Sequence, residues 1–366
     1  MFRKMKIGIL TFHNALNYGA VLQAYATQTF LTQLGHDVTI LNYKNHYIEN
    51  VYKKRLAFSF NIKELVVSVL VFVFNSLKKH AYSNFIEKYL QLSEPIDGDK
   101  NLVSGYDLIL VGSDQVWNPK QTDGFDKMYW GDFKHDGVLA SWAASFRENA
   151  FEKNDGAKIT EYLKNFDSIS VREHHLKTML SKFTGKNISV LQDPTLMLWK
   201  DDWAKVGSSR PPKKYVLVYA MVDEALVVEK AKLLAMDRGL DLIILNPYTN
   251  AKVSCNYKQY ASPQEFVSYM KNADVIVTSS FHGTAFSIIF EKEFYCVIRK
   301  SKTNVRIEAL LATLGLQNRI IDEETIHFDN SDVDYVKVNA IRKQEIDKSK
   351  NFLGEVLTQT RSVFHS

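Results

Sequence analysis

Short runs of strand-forming residues alternate along this chain with stretches of helical apolar spacing, and that alternation constrains the fold more than any other feature. Lys6-Ile-Gly-Ile-Leu-Thr11 reads as a strand, residues 20–34 carry apolar side chains at helical spacing and stop at Gly35, and 36–42 reads as a second strand. Strand, helix and strand within that span have the size of one βαβ unit, roughly 30 residues. Further strand-like runs follow at 107–111, 139–142, 168–171 and 188–191. Most are apolar throughout, as expected of strands in a parallel sheet covered on both faces.

The pattern breaks at Ser208-Ser-Arg-Pro-Pro-Lys-Lys214, which holds turn and breaker residues without an apolar period, and a linker is expected there. A second series then begins, with strands at 215–219, 242–245, 275–278 and 294–298. Its helices are expected at 224–238, ended by Gly239, at 262–271, with Ser262 as cap and Pro263 in first position, and at 284–290. The chain has 366 residues, nearly half of them apolar, which suits two domains of ordinary size. The expected class is therefore α/β, with two Rossmann-like domains whose parallel sheets face a central cleft. The N-terminal domain is expected over 1–208 and the C-terminal one over 214–333, with a helical tail over 334–366 that returns to the first domain. In open parallel sheets ligands sit beyond the carboxyl ends of the strands, so motifs there carry functional weight.

The formal charge of +5 suits an anionic small molecule or a membrane face and is too weak to argue for nucleic acid. Cys255 and Cys296 lie far apart, with no metal-type spacing, and read as reduced thiols of a cytoplasmic protein. The first strand is too short for a signal core. The most apolar run, Leu65-Val-Val-Ser-Val-Leu-Val-Phe-Val-Phe74, is half the roughly 20 residues that span a bilayer. Lys53, Lys54 and Arg55 precede it and Lys78, Lys79 and His80 follow. It reads either as a buried helix of the first domain or as an element lying at the inner face of the cell membrane, its cations meeting anionic lipid.

Six strand-end segments have chemical content. Phe12-His-Asn-Ala-Leu-Asn-Tyr-Gly19 joins the first strand to the first helix and exposes backbone N–H groups, with Asn17 as anion contact or simple cap. One glycine there does not make a dinucleotide loop. In Leu110-Val-Gly-Ser-Asp-Gln-Val-Trp-Asn118, Ser113 and Asp114 suit hydroxyl contacts and Trp117 a sugar face, against the reading of a capped turn over a core Trp. Ser141-Trp-Ala-Ala-Ser-Phe-Arg147 ends in a cation that is either an anion contact or solvated. Ser170-Val-Arg-Glu173 offers Arg172 to a phosphate or carboxylate, or to an acid of the protein itself. Thr278-Ser-Ser-Phe-His-Gly283 carries small hydroxyls and His282, a group that titrates near neutral pH, before a helix. Ile298-Arg-Lys-Ser-Lys-Thr-Asn-Val-Arg306 clusters cations before another helix, with Arg306 at its start.

Taken in order, the segments around Asn17-Tyr-Gly19, Gly112–Asn118, Trp142–Phe146, Ser170–Glu173, Gln192-Asp-Pro-Thr195 and Thr278–Thr284 resemble the polysaccharide pyruvyl transferase family. The resemblance implies a fold similar to GT-B glycosyltransferases, phosphoenolpyruvate as donor and a sugar hydroxyl pair as acceptor, with a cyclic pyruvate ketal and phosphate as products. It implies His282 as acid and Arg172 and Arg306 as donor-binding cations, assisted by Ser279, Ser280 and Gly283. Asp114 is the candidate base or hydroxyl anchor, and Asn17, Gly19, Ser113, Trp117 and Asn118 form the expected acceptor side. No cofactor and no metal is expected. The role would be capsule or exopolysaccharide synthesis, with the acceptor carried on a polyprenyl diphosphate. One departure stands out: Ser280 occupies a place where some relatives carry arginine, and Arg147 is the nearest candidate to replace that cation. The alternative is a nucleotide-sugar glycosyltransferase of the same architecture, which needs an acidic ribose contact such as Glu265 or Glu291.

Overall fold

The computed structural model describes residues 4–52, 61–97, 102–147, 150–152, 154–207, 214–248, 250, 254, 256–302 and 304–363. The linker expected at 208–214 falls outside these residues except for Lys214, as do Cys255, Lys53, Lys54 and Arg55. In the first half, β1 (Lys6–Leu10), α1 (Tyr18–Gln33), β2 (Asp37–Tyr43), α2 (His46–Val51), α3 (Ile62–Tyr89) and β3 (Leu92–Ile96) come first. They are followed by β4 (Leu108–Val111), α4 (Pro119–Thr122), β5 (Val138–Ser141), α5 (Gly156–Lys164), β6 (Ile169–Val171), α6 (His174–Leu180), β7 (Ile188–Val190) and α7 (Lys200–Ala204). In the second half, β8 (Tyr215–Tyr219), α8 (Glu224–Arg238), β9 (Asp241–Leu245), β10 (Tyr257–Lys258) and α9 (Pro263–Asn272) precede β11 (Val275–Thr278), α10 (Phe281–Ile289), β12 (Glu293–Val297), α11 (Val305–Leu314), β13 (Ile320–Ile321) and α12 (Tyr335–Val363).

The first sheet has the order β3-β2-β1-β4-β5, all parallel. The parallel pair β6-β7 continues beside β5, where Ser141 N–H donates to Ser168 O at 3.0 Å. The second sheet has the order β10-β9-β8-β11-β12-β13, again all parallel. Each is a doubly wound sheet of Rossmann order, and the pair is GT-B-like. In both, the order reverses at the first strand, between β1 and β4 and between β8 and β11, and a crevice opens at such switch points. The central strands β4, β8 and β11 are buried along their whole length, which is why their sequences show no polar alternation.

Local chemistry sets the element ends. Gly35 (φ 95°) stops α1 and Gly239 (φ 62°) stops α8, both left-handed positions that glycine takes without strain. Ser262 and Glu265 form a capping box on α9, with Pro263 in first position. Helix α10 begins at Phe281 rather than at Thr284, because the Ser280 hydroxyl accepts from Gly283 N–H and caps it there. The earlier start puts His282 in the first turn of a helix instead of in a loop.

The halves share one apolar core, in which Tyr18 of α1 stacks on Phe266 of α9 at 4.6 Å and donates to Ala261 O at 2.7 Å. Helix α12 starts on the second half, where Asn339 donates to Glu291 at 2.7 Å. It crosses to the first, where Phe352 lies 6.1 Å from the Trp142 ring. The reading of residues 65–74 as a buried helix is not what the structure has. These residues form the first part of α3, which is 28 residues long, and none of them is buried. Ile62 is 79% exposed, Val66 52% and Val73 44%. Phe74 stacks on Tyr260 at 5.9 Å, and burial begins at Asn75 and continues through Lys78, Tyr82 and Phe85. By length and composition alone α3 is apolar enough to cross a membrane.

Candidate active site

The strand ends at the two switch points face each other across a cleft of ≈ 730 Å³, a size ordinary for a small-molecule site. Its polar lining includes Asp114 beyond β4, Arg147 beyond β5, Ser279, Ser280 and His282 beyond β11, and Arg306 in α11. Tyr47 and Tyr52 on one side and Tyr219 and Tyr248 on the other supply aromatic walls.

The loop that carries His282 is held by its own hydroxyls. Thr278 Oγ1 donates to Tyr219 O at 2.6 Å and accepts from Ser280 N–H at 3.0 Å, and Ser279 Oγ donates to Val222 O at 2.6 Å. These bonds tie the ends of β8 and β11 together. Ser279 and Ser280 thus line the cleft while bracing its wall. Gly283 faces Thr278, whose Oγ1 would lie 2.2 Å from an added Cβ, so its smallness serves packing under the loop.

His282 Nε2 is enclosed and lies 3.6 Å from Asp193 Oδ2, an ion-pair distance longer than a hydrogen bond. Asp193 is itself buried. Its Oδ1 accepts from Thr195 N–H at 2.9 Å and Thr195 Oγ1 at 2.6 Å, and its Oδ2 from Arg172 Nη1 at 2.6 Å. Burial alone would raise the Asp193 pKa, but the close approach and charge of His282, the charge of Arg172 and the Thr195 hydroxyl hold the carboxyl well below its usual range. The His282 ring also packs against the first turn of α1. A Cβ on Gly19 would stand 2.0 Å from Nδ1 and 2.3 Å from Cε1, so only glycine fits there. Groups from both halves therefore define one imidazole.

Arg172 is placed differently from the sequence reading. Its Nε donates to Glu173 at 2.9 Å, Nη1 to Asp193 and Nη2 to Ser145 Oγ at 3.1 Å, and its guanidinium lies over the Phe281 ring at 4.8 Å. It lies behind that ring, outside the cleft lining, with all three nitrogens engaged, so in this arrangement it meets acids of the protein itself. Arg306 does line the cleft. Among the described residues no hydrogen bond or ion pair reaches its guanidinium. Burial, then the like charge of Arg172, and Arg147 more weakly, lower its pKa against the opposing pull of Glu173 and Asp114. Arg306 is thus a half-buried cation with no ion-pair partner among the described residues.

Asp114 has φ 67°, in the left-handed region that a non-glycine residue rarely takes, which aims its side chain into the cleft. Its neighbours do otherwise. Ser113 is fully buried and donates to Ala143 O at 2.8 Å. Trp117 is also fully buried, stacks on Trp130 at 5.0 Å and donates Nε1–H to Tyr129 O at 2.8 Å. Asn118 is buried and caps α4 through Lys120 N–H at 3.1 Å. The acceptor-side reading of Ser113, Trp117 and Asn118 is corrected accordingly: they form a capped turn over a core Trp. Asn17 lines the cleft and caps α1 by accepting from Ala20 N–H at 3.4 Å.

Sequence reasoning missed Asp193, His175 and the tyrosine walls. Asp193 stands before a proline, a pattern that reads as a cap, and a cap it also is. His175 lines the cleft with a buried Nε2 that has no hydrogen-bond partner among the described residues. Among the described residues no group of three or more His, Cys, Asp or Glu is placed to hold a metal ion.

Fold and site define a two-halved α/β enzyme with a cationic, histidine-bearing cleft. The chain belongs to the polysaccharide pyruvyl transferase family, whose sequence model matches residues 17–301. It is thus a transferase of polysaccharide biosynthesis, with a saccharide acceptor. No curated protein matches it. Solved structures similar to it include the UDP-GlcNAc 2-epimerase of Neisseria meningitidis bound to UDP-GlcNAc (12% identity, 98% of this chain and 100% of that one, TM-score 0.48). The UDP-N-acetylglucosamine 2-epimerase of Rickettsia bellii (12%, 100% of each chain, TM-score 0.46) and the spinosyn forosaminyltransferase SpnP (12%, 100% and 96%, TM-score 0.40) are others.

Proposed function

We propose that this enzyme moves the pyruvate unit of phosphoenolpyruvate onto two hydroxyls of a saccharide, releasing phosphate. The observation that carries this reading is the presence in one cleft of an unpaired guanidinium, Arg306, and a titratable group, His282. The donor has a carboxylate and a phosphate, and its methylene carbon must gain a proton. Arg306, with Arg147 beside it, answers the anion. His282 gives its proton to the methylene carbon, which becomes a methyl group. An acceptor hydroxyl oxygen bonds to the neighbouring carbon and its proton passes to Asp114. The carbon–oxygen bond to phosphate then breaks, and the second hydroxyl closes the ketal. Of the two hydroxyl protons, one replaces the proton lost by His282 and the other leaves with phosphate. The tyrosine walls suit a sugar, since aromatic rings pack against its apolar faces.

The exposed stripe of Ile62, Val66, Val69, Val73 and Leu77 lies on one face of α3 and suits a peripheral contact with an anionic membrane at the cytoplasmic face. The same helix borders the cleft mouth: Asn75 donates to Tyr52 O at 3.2 Å and Lys78 to Pro247 O at 2.6 Å. An acceptor carried on a polyprenyl diphosphate would arrive there. The two acids offered for the nucleotide-sugar alternative lie away from the cleft, Glu265 engaged in the α9 cap and Glu291 paired with Lys200 at 2.6 Å.

Incubation with phosphoenolpyruvate and a panel of galactosyl, glucosyl and mannosyl acceptors tests the reaction. Phosphate release that needs both substrates supports it; release of UDP from a UDP-sugar with no use of phosphoenolpyruvate refutes it. Flotation with anionic liposomes, abolished by a Val66→Ser, Val69→Ser, Val73→Ser triple variant, tests the membrane contact, and wild-type protein that stays at the bottom of the gradient removes it.

A further inference from the structure

We infer that Asp193 is the positioning residue for His282: it holds Nε2 as a hydrogen-bond donor and leaves Nδ1 as the nitrogen that hands over the proton. The inference rests on the pyruvyl-transfer reading above and deepens it.

Three observations carry it. First, the Asp193 carboxylate cannot turn. Thr195 fixes Oδ1 with two donors, at 2.9 and 2.6 Å, and Arg172 fixes Oδ2 at 2.6 Å. Second, Nε2 is enclosed and Oδ2, at 3.6 Å, is its only acidic neighbour among the described residues. Substrate binding commonly tightens such contacts in an enzyme site. A carboxylate against one ring nitrogen decides which tautomer the ring takes, here Nε2–H. Third, the two ring nitrogens differ in access. His282 lines the cleft, and of its two nitrogens only Nε2 is enclosed without a partner, while Gly19 packs against the ring face beside Nδ1.

The charges agree with this geometry. Arg172 faces two carboxylates, Asp193 and Glu173, with Ser145 Oγ donating to Glu173 at 3.0 Å. With both ring nitrogens carrying hydrogen the imidazole is a cation, set against the Asp193 carboxylate. Asp114, Arg147 and Arg306 are the other charged groups within electrostatic reach of this cluster. The Nδ1–H bond then breaks as the proton joins the methylene carbon, and Nε2–H stays bound to Asp193.

Asp193→Asn tests this directly. The amide oxygen can serve Thr195 or Arg172 and His282, but not both, so a donor is turned against a donor on one side. With the oxygen kept by Thr195, the amide N–H₂ faces Nε2 and forces the hydrogen onto Nδ1. The expected result is a fall in kcat of about 10²–10³-fold, within the range for a misdirected general acid, with phosphoenolpyruvate affinity by calorimetry unchanged within about threefold. In ¹⁵N-histidine spectra the His282 ring signals, assigned by their loss in His282→Gln, should move from the Nε2–H pattern to the Nδ1–H pattern. Adding Asp193→Asn to His282→Ala should slow that variant no further, because residues that act through one another are not additive. A purely structural Asp193 would slow the double variant by the same factor as the single one and leave the ring tautomer alone, and either result overturns the inference. If Asp193→Asn does not fold, Thr195→Val, which frees one side of the carboxylate, should show the same tautomer shift in part, and an unchanged ring spectrum overturns the inference equally. The ring spectrum needs no turnover, so a failure of the pyruvyl-transfer reading, seen as no phosphate release by wild type, is distinguishable from a failure of this one.

Discussion

Gly19→Ala perturbs the site through a single methyl group. In the second position of α1, alanine is the better helix former by up to about 1 kcal/mol. The new Cβ would nonetheless lie 2.0 Å from His282 Nδ1, where ordinary van der Waals contact needs 3.4 Å or more. The ring or the helix must retreat by more than an ångström. Forcing a methyl into a closed contact costs about 1–3 kcal/mol, so the net loss of stability is small, between about 0 and 2 kcal/mol, and the variant should fold. Its activity should not survive as well, because a 1 Å error in a catalytic group can reduce turnover about 10²-fold. The assay is phosphate release from phosphoenolpyruvate with saturating saccharide, beside calorimetric unfolding of the same preparation. Turnover within threefold of wild type, in a variant that melts normally, would show that the Nδ1 edge of His282 is not where the chemistry occurs.

Arg306→Ala should raise the KM for phosphoenolpyruvate about 10–100-fold, since a hydrogen bond to a charged group contributes about 1.5–3 kcal/mol. Arg306→Lys should recover part of that, and initial rates over a donor series measure both. Trp117→Phe should lower stability by about 1–3 kcal/mol through the lost bond to the Tyr129 carbonyl and leave the saccharide KM alone; a KM rise of tenfold at unchanged melting would restore Trp117 to the acceptor side. Burial brings the Lys78 pKa down to about 7, far below an unfolded lysine. The unfolded state therefore binds more protons between pH 7 and the ordinary lysine value, and the Lys78 contribution to stability rises with pH across that window. Urea unfolding at pH 6, 8 and 9.5 should show wild type gaining on Lys78→Met as pH increases, and a pH-independent gap would contradict a buried, neutralised amine.

Much of the fold was legible because its signals are local. Gly35 and Gly239 end helices where a left-handed residue is needed, Ser262-Pro263 opens one, and the runs at 215–219 and 275–278 match β8 and β11 residue for residue. The site was legible only as a list of strand ends. Asp114 and Trp117 sit three residues apart in one turn, yet one enters the cleft and the other the core, because the left-handed backbone at Asp114 redirects the chain between them. Arg172 was a reasonable anion ligand by residue type, but Glu173 and Asp193 reach it first. Asp193 entered only as part of a family segment, since the one partner the local sequence offers, Thr195, is two residues away, whereas Arg172 and His282 are distant in the chain.

The strand end at 278–283 marks the division. Its sequence determined a buried strand, a hydroxyl-braced turn and a histidine before a helix, all of which depend on neighbours within a few residues. Only the tertiary structure decided which acid meets that histidine and which backbone packs on its ring, since Asp193 and Gly19 come from the other half of the molecule and their approach is set by how the halves pack. The apolar run of α3 divides the same way: its helical character lies in its composition, but its exposure follows from where the buried part of the helix begins, at Asn75.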